Sequence, residues 1–191
     1  MQLFRLLDQF VKAPRDTGSI VPSSQALAKT LLSDAEVSRW NTVVEFGPGT
    51  GVFTEHLVKL VGASSVFFAM EINPFLARQA RLRCPQAQVH TASATDIVEY
   101  LGRHGLRHCD CIVSSLPWGS LKPELQDAIF AAILDALPAG GKFVTFTYAG
   151  VPLMPAGRAF KQRLVDNFSN VHTSPIVWKN FPPALVYSCT R

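Results

Sequence analysis

The residues with the clearest chemical potential lie in Val43-Val44-Glu45-Phe46-Gly47-Pro48-Gly49-Thr50-Gly51. An apolar run leads into glycines at alternate positions, with a carboxylate two residues before the first. Such a loop can turn tightly and approach a ligand where any Cβ would collide. Its spacing differs from the GxGxxG of dinucleotide sites, where a pyrophosphate lies over a helix N-terminus. Glu45 would repel a pyrophosphate, but it suits the ammonium group of an amino-acid moiety. A second acid, Glu71 in Ala69-Met70-Glu71-Ile72-Asn73, falls twenty residues after Gly51. A carboxylate at the tip of a second strand can accept hydrogen bonds from both ribose hydroxyls. Ile72 would then pack on the adenine face, with Asn73 beside it. The segment Ala92-Ser93-Ala94-Thr95-Asp96-Ile97 follows a third strand, where the adenine edge would lie. The adenine amino group is left to Ser93, to backbone around Ala94 or to Asp96, and Asp96 serves equally as a plain helix cap. Glu45, Gly47, Pro48, Gly49, Thr50, Gly51 and Glu71 together point to S-adenosylmethionine as the cofactor, with S-adenosylhomocysteine as its product.

The group that accepts a methyl would meet the residues after the fourth strand, Ser114-Ser115-Leu116-Pro117-Trp118-Gly119. Ser114 and Leu116 border the cofactor. Ser115 stands where methylases of the adenine amino nitrogen carry Asn or Asp to grip the flipped base, and a short hydroxyl grips a conjugated amine poorly. Trp118 and Tyr148, after strands four and five, are expected to surround an alkylammonium with aromatic faces. Their rival roles are core packing for Trp118 and strand capping for Tyr148. Arg158 and Lys179 offer charge to a phosphate, the alternative being ordinary solvated charge. The four cysteines contain no CxxC pair, so no metal site is expected. Cys109 and Cys111 are expected on one face of a strand, as reduced core residues.

These groups need a scaffold of alternating elements. Apolar runs at Thr42–Phe46, Val66–Met70, Gln88–Thr91, Cys111–Ser114 and Lys142–Thr147 predict buried parallel strands. Helical stretches near Thr54–Val61, Phe75–Arg83, Asp96–His104, Leu125–Leu137 and Arg158–Asn167 separate them. Runs at Val171–Trp178 and Ala184–Cys189 predict a terminal antiparallel hairpin. The pattern is that of an α/β, doubly wound, Rossmann-like sheet, whose ligands lie beyond the carboxyl ends of the strands. Residues 41–191 would form this domain, behind an N-terminal helical extension over 1–40. The extension should hold an amphipathic helix from Leu3 to Lys12, stopped by Pro14. A second helix through Leu27 and Leu31 would be capped by Ser23 or Ser24.

With 191 residues, 48% of them hydrophobic and 17% charged, the chain can bury a sizeable core and is no disordered tail. Basic residues concentrate at one end: residues 148–191 hold five Lys and Arg against one acid. Such an end attracts RNA, anionic lipid or a phosphorylated small molecule. No apolar run approaches the ~18 residues of a membrane span, and the N-terminus has no secretory pattern. Any membrane contact is therefore expected to be peripheral.

A more specific likeness emerges from particular segments. The chain resembles the bacterial phospholipid N-methyltransferases, class I S-adenosylmethionine-dependent enzymes related to the rRNA adenine dimethylases. The resemblance is carried by Ala13-Pro14-Arg15, Gly18-Ser19-Ile20-Val21-Pro22-Ser23-Ser24-Gln25-Ala26-Leu27-Ala28 and the glycine loop through Thr54. It continues in Glu71-Ile72-Asn73, Ser115-Leu116-Pro117, Phe146-Thr147-Tyr148 and Trp178-Lys179-Asn180-Phe181-Pro182-Pro183-Ala184. Trp118-Gly119 departs from it, since that family more often has aliphatic residues there. The resemblance implies successive N-methylation of phosphatidylethanolamine at an anionic membrane surface, from the cytoplasmic side of the inner membrane and without nucleic acid. It also implies that the first helix, with Arg5, Lys12 and Arg15, lies in the membrane interface. Other acceptors within the same chemistry are an ornithine lipid or other aminolipid, a small hydrophobic metabolite, or RNA adenine.

Overall fold

The computed structural model describes residues 24–191. The expected helix Leu3–Lys12, its stop at Pro14, the loop that follows and a cap at Ser23 lie outside the described residues. Seven strands form one sheet: β1 (Thr42–Phe46), β2 (Val66–Glu71), β3 (Gln88–Thr91), β4 (Cys111–Ser114), β5 (Lys142–Tyr148), β6 (Asn170–Thr173) and β7 (Ala184–Thr190). Their order is β3-β2-β1-β4-β5-β7-β6. β1 to β5 run parallel, while β7 lies antiparallel between β5 and β6. All five residues of β1 are buried, as a central strand covered on both faces must be.

The helices are α1 (Gln25–Ala35), α2 (Val52–Leu60), α3 (Pro74–Arg83), α4 (Ile97–Arg103), α5 (Pro123–Ala136) and α6 (Pro155–Asn167). Alternation along each strand sorts the core into two layers. Val44, Phe68, Ile112 and Phe143 face α4, α5 and α6, with Ile97, Ile133 and Phe160 buried between them. Val43, Val113, Val144 and Val186 face α1 and α2, against Leu27, Leu31 and Leu57. Ala69 and Val89 meet Ala77 and Ala80 of α3 on that same side. The fold is thus an α/β sandwich around a mixed sheet. The described part of the N-terminal segment belongs to one of its layers, because Leu27, Ala28, Leu31 and Leu32 are wholly or almost wholly buried. Ser24 caps α1, its side chain accepting from the Leu27 N–H.

Two expectations change. The two cysteines do not share a face. Cys109 precedes β4, its N–H donating to the Ala136 carbonyl, and it packs with the α5 layer while Cys111 packs with α1. All four cysteines are free and buried. The strand expected at Val171–Trp178 stops at Thr173. There Ser174 turns its hydroxyl back to accept from the Val186 N–H, and Pro175 has no N–H to extend the ladder. No helix among the described residues is long and apolar enough to cross a membrane.

Candidate functional site

The strand order reverses between β1 and β4, and the loops after those strands meet at their carboxyl ends. The Ser115 N–H donates to the Phe46 carbonyl at 2.9 Å. Gly47 has φ +70°, and a Cβ built there would lie 3.0 Å from Leu116 Cδ2. Gly51, at φ +84°, would bring a Cβ within 3.1 Å of the Ala80 Cα. Only glycine allows both that backbone conformation and so close a helix contact. Gly49 also has positive φ, but it has open space above it. The loop is therefore stripped of side chains toward helix α3, toward the β4 loop and toward solvent. Pro48 is buried and Thr50 half-buried. The Gly51 N–H closes the turn on the Pro48 carbonyl.

Two acids bracket this loop. Glu71 ends β2, nearly buried. One carboxylate oxygen accepts from the Gly49 N–H at 3.1 Å and the other from the Asn73 N–H at 2.9 Å. A carboxylate has about four acceptor positions, so Glu71 fastens the glycine loop and keeps lone pairs for further donors. Ile72 beside it is 72% exposed, an apolar side chain in water at the tip of the sheet. Asn73 has a different occupation from the expected ligand contact. Its side chain caps α3, accepting from the Phe75 and Leu76 N–H groups, with Pro74 at the first helical position.

Glu45 lies deeper than its sequence position suggests. It is fully buried, and one carboxyl oxygen accepts from the Thr54 hydroxyl at 2.7 Å. Its other oxygen, Oε1, is buried with no partner. Burial drives its pKa up to about 8, against the Thr54 hydrogen bond, with the nearby Glu71 charge adding to the rise. Thr54 was missed by sequence reasoning. Its signal was a hydroxyl on the first turn of the helix that the glycine loop opens.

After β3, Ser93 caps a short turn. The Thr95 hydroxyl lies 2.7 Å from Ser93 Oγ and 3.0 Å from Asp96 Oδ1. Ala94 is buried. Asp96 occupies the cap position of α4 but makes no side-chain capping bond. After β4, Ser114 is buried and its hydroxyl accepts from the Leu116 N–H. Ser115 Oγ, like Glu45 Oε1, is buried without a partner. Unsatisfied buried polar atoms cost about 1–3 kcal/mol each. One at the end of β1 and one just after the adjoining β4 mark this switch point as a place built to meet something else.

Trp118 does not line an acceptor pocket. It is buried, stacks on Phe160 at 5.1 Å, and touches Phe130 and Phe143. Its indole N–H donates to the Thr145 hydroxyl, which donates in turn to the Ser114 carbonyl. One face is stacked on Phe160, the polar edge is bonded to Thr145 and the ring is almost wholly buried, which leaves no open face for a cation. Tyr148 lies on the other face of the sheet, against Phe146, so the two aromatics do not converge. Burial raises the Tyr148 pKa, so its phenol stays protonated and is no strong base at neutral pH. Arg158, in the first turn of α6, and Lys179, in the β6–β7 loop, are both exposed. The loop carrying Leu116 to Leu121 is instead held by Gln126, whose amide donates to the Trp118 and Leu121 carbonyls. Arg163 donates to Gln126 Oε1 and pairs with Asp127. Among the described residues, no group of three or more His, Cys, Asp or Glu could hold a metal ion.

No protein-family model matches the sequence, and no curated protein matches it. Solved structures do. TrmN from Thermus thermophilus superposes with a TM-score of 0.67 at 20% identity, over 86% of this chain and 48% of that one. The chain therefore spans about half the length of TrmN. The N-methyltransferase NodS from Bradyrhizobium japonicum WM9, in complex with S-adenosylhomocysteine, gives 0.69 at 12% identity over 96% and 98% of the two chains. The O-methyltransferase from Bacillus cereus, also in complex with S-adenosylhomocysteine, gives 0.68 at 14% over 99% and 90%. The chain has the fold of these methyltransferases. Its glycine loop, Glu45 and Glu71 sit at the switch point of that fold, where open α/β sheets bind their ligands.

Proposed function

We propose that the chain is an S-adenosylmethionine-dependent methyltransferase. Two of the similar structures are themselves complexes with S-adenosylhomocysteine. The observation that carries the proposal is Glu45, buried with an unpaired oxygen beside a loop of positive-φ glycines. That orphan fits the ammonium of a methionine moiety, the open space over Gly49 fits a closely approaching nucleoside, and the free lone pairs of Glu71 fit ribose hydroxyls. The exposed Ile72 fits an adenine face. S-adenosylmethionine, when bound, supplies an electrophilic methyl group on sulfur. The chain's own residues then have three tasks: Glu45 gives up its proton to pair with the ammonium, Glu71 fixes the ribose, and the β4 loop aligns the acceptor for in-line attack.

For the acceptor we propose the amine of phosphatidylethanolamine and of its partly methylated products. The support is the likeness of Gly18–Ser24 and Asn180–Ala184 to the phospholipid N-methyltransferases. Two residues of those distant segments also touch, the Ser24 N–H donating to Asn180 Oδ1 at 2.9 Å. An alkylammonium must lose its proton before attack. With Tyr148 held protonated, that proton goes to water, and the phenol orients the amine rather than deprotonating it. Arg158 and Lys179 serve the phosphate. The test is transfer of labelled methyl from S-adenosylmethionine to mixed phosphatidylethanolamine–phosphatidylglycerol vesicles, with RNA and soluble amines as parallel acceptors. Labelled mono-, di- and trimethylated lipid is expected. Label in RNA adenine or soluble amines alone overturns the acceptor and leaves the methyltransferase standing.

A further inference from the structure

Apolar side chains stand in water at the carboxyl end of the sheet. Trp178 is 74% and Phe181 78% exposed, both in the loop over 174–183; Leu153, in the turn after β5, is 78% exposed. Ile176 and Met154 beside them are partly exposed. The two loops leave the same end of neighbouring strands. Tyr148 at the end of β5 pairs with Ala184 at the start of β7, and the Ala149 N–H donates to the Pro183 carbonyl at 2.8 Å.

The longer loop is a built display. Asn180, between Trp178 and Phe181, is buried. Its Oδ1 accepts from the Ser24 N–H, its amide donates to the Pro182 carbonyl at 2.7 Å, and its backbone N–H reaches the Val177 carbonyl. Val177 also bridges to Ala184. Asn180 therefore pins the loop from inside while the large apolar residues on either side point away from the core. The charge around them has one sign. Lys179 lies within the display, and Arg158 and Lys161 follow Leu153 and Met154 on α6. Exposed apolar clusters of this kind mark interaction surfaces, and Trp beside Lys suits a lipid interface, where an amphipathic ring lies at headgroup depth. Aromatic rings with Lys also suit single-stranded RNA. Leu153, Met154 and Ile176 have no stacking face, however, and the basic residues here are few for a phosphate track, so the composition favours lipid.

We infer that the loops over 149–154 and 174–183 seat the protein on an anionic bilayer, with Trp178, Phe181 and Leu153 entering the boundary between headgroups and acyl chains. The inference rests on the aminolipid reading above and deepens it, since this seating brings the Tyr148 end of the sheet against the headgroups. It assigns docking to the rim of the site itself.

The test is flotation of the full chain with phosphatidylethanolamine–phosphatidylglycerol vesicles and with phosphatidylcholine vesicles, together with Trp178 emission. The protein should float with the anionic vesicles and less with the neutral ones, and its emission should shift to the blue. Trp178→Ser with Phe181→Ser should lower vesicle partition by about tenfold or more, and Trp178→Ser alone by less. Both positions are exposed, so an unchanged melting temperature verifies that the variants fold. Transfer to a short-chain phosphatidylethanolamine kept below its micelle concentration should persist in the double variant. Equal flotation of the folded double variant, an unshifted Trp178 emission on bound vesicles, or binding of RNA in place of vesicles overturns the docking surface. Wild-type transfer to neither lipid form overturns the acceptor reading instead, and flotation still decides the surface.

Discussion

Replacing Glu45 by glutamine isolates the proton that the buried site holds. With its pKa up to about 8, Glu45 is ionised in roughly one molecule in eleven at pH 7, and ionising the rest costs about 1.4 kcal/mol. A charge-assisted hydrogen bond from an ammonium contributes about 1.5–3 kcal/mol, enough to offset that cost. The free protein therefore holds a proton that the complex releases. Affinity rises with pH by at most about tenfold per unit between about pH 6 and 8, and levels off above that. At pH 7, where the ligand ammonium stays charged, up to about 0.85 proton should leave per S-adenosylhomocysteine bound. Titration calorimetry in buffers of different ionisation enthalpy reads this release directly. Glu45→Gln should abolish both the release and the pH slope, and should lower affinity at pH 7 by up to about fifteenfold, the surplus of the pairing over the ionisation cost. Buffer-independent heats in the wild type, or an unchanged pH slope in the variant, would refute the pairing of Glu45 with the ligand cation.

Other outcomes follow from the same geometry. Ligand-free stability should fall with rising pH between about 4.5 and 8, by up to about 1.4 kcal/mol per unit, because the folded chain keeps a proton on Glu45 that the unfolded chain loses. In denaturant titrations Glu45→Gln should flatten this slope. Gly51→Ala, strained by φ +84° and by the Ala80 contact, should cost about 1–3 kcal/mol in the same titrations and weaken cofactor binding. Trp118→Ala should cost about 3–5 kcal/mol, while Trp118→Phe retains most methyl transfer; a large loss of kcat in a stably folded Trp118→Phe would restore the tryptophan to the acceptor site. Arg163→Ala should loosen the β4 loop through Gln126, lowering kcat while S-adenosylhomocysteine affinity, read by calorimetry, changes little.

The sheet was legible because its inner strands β1, β2, β4 and β5 are short, mostly apolar runs ended by polar or glycine-rich sequence, as burial on both faces demands, whereas the edge strand β3, Gln-Val-His-Thr, buries only Val89. The glycine loop and Glu71 were legible because their spacing fixes where they emerge at the carboxyl ends of the strands. Trp118 was not. Its partners Phe130, Phe143 and Phe160 come from α5, β5 and α6, and nothing near it in sequence announces that they meet. The depth of Glu45 was hidden in the same way, because Thr54 and the α2 layer bury it from outside its own strand. Cys109 misled because the apolar run begins before the ladder does. Asp110 in between turns its carboxylate back to accept from the Asn41 and Thr42 N–H groups, so the strand starts one residue after it.

The most direct measurement is the affinity of the purified chain for S-adenosylhomocysteine beside that of Glu71→Ala. Saturable one-to-one binding in the wild type is expected, falling at least about thirtyfold in the variant with the loss of contacts to a charged acceptor while the melting temperature shows it folded. Absence of saturable binding by the wild type, or equal binding by both proteins, contradicts the assignment of this loop and its two acids to the cofactor.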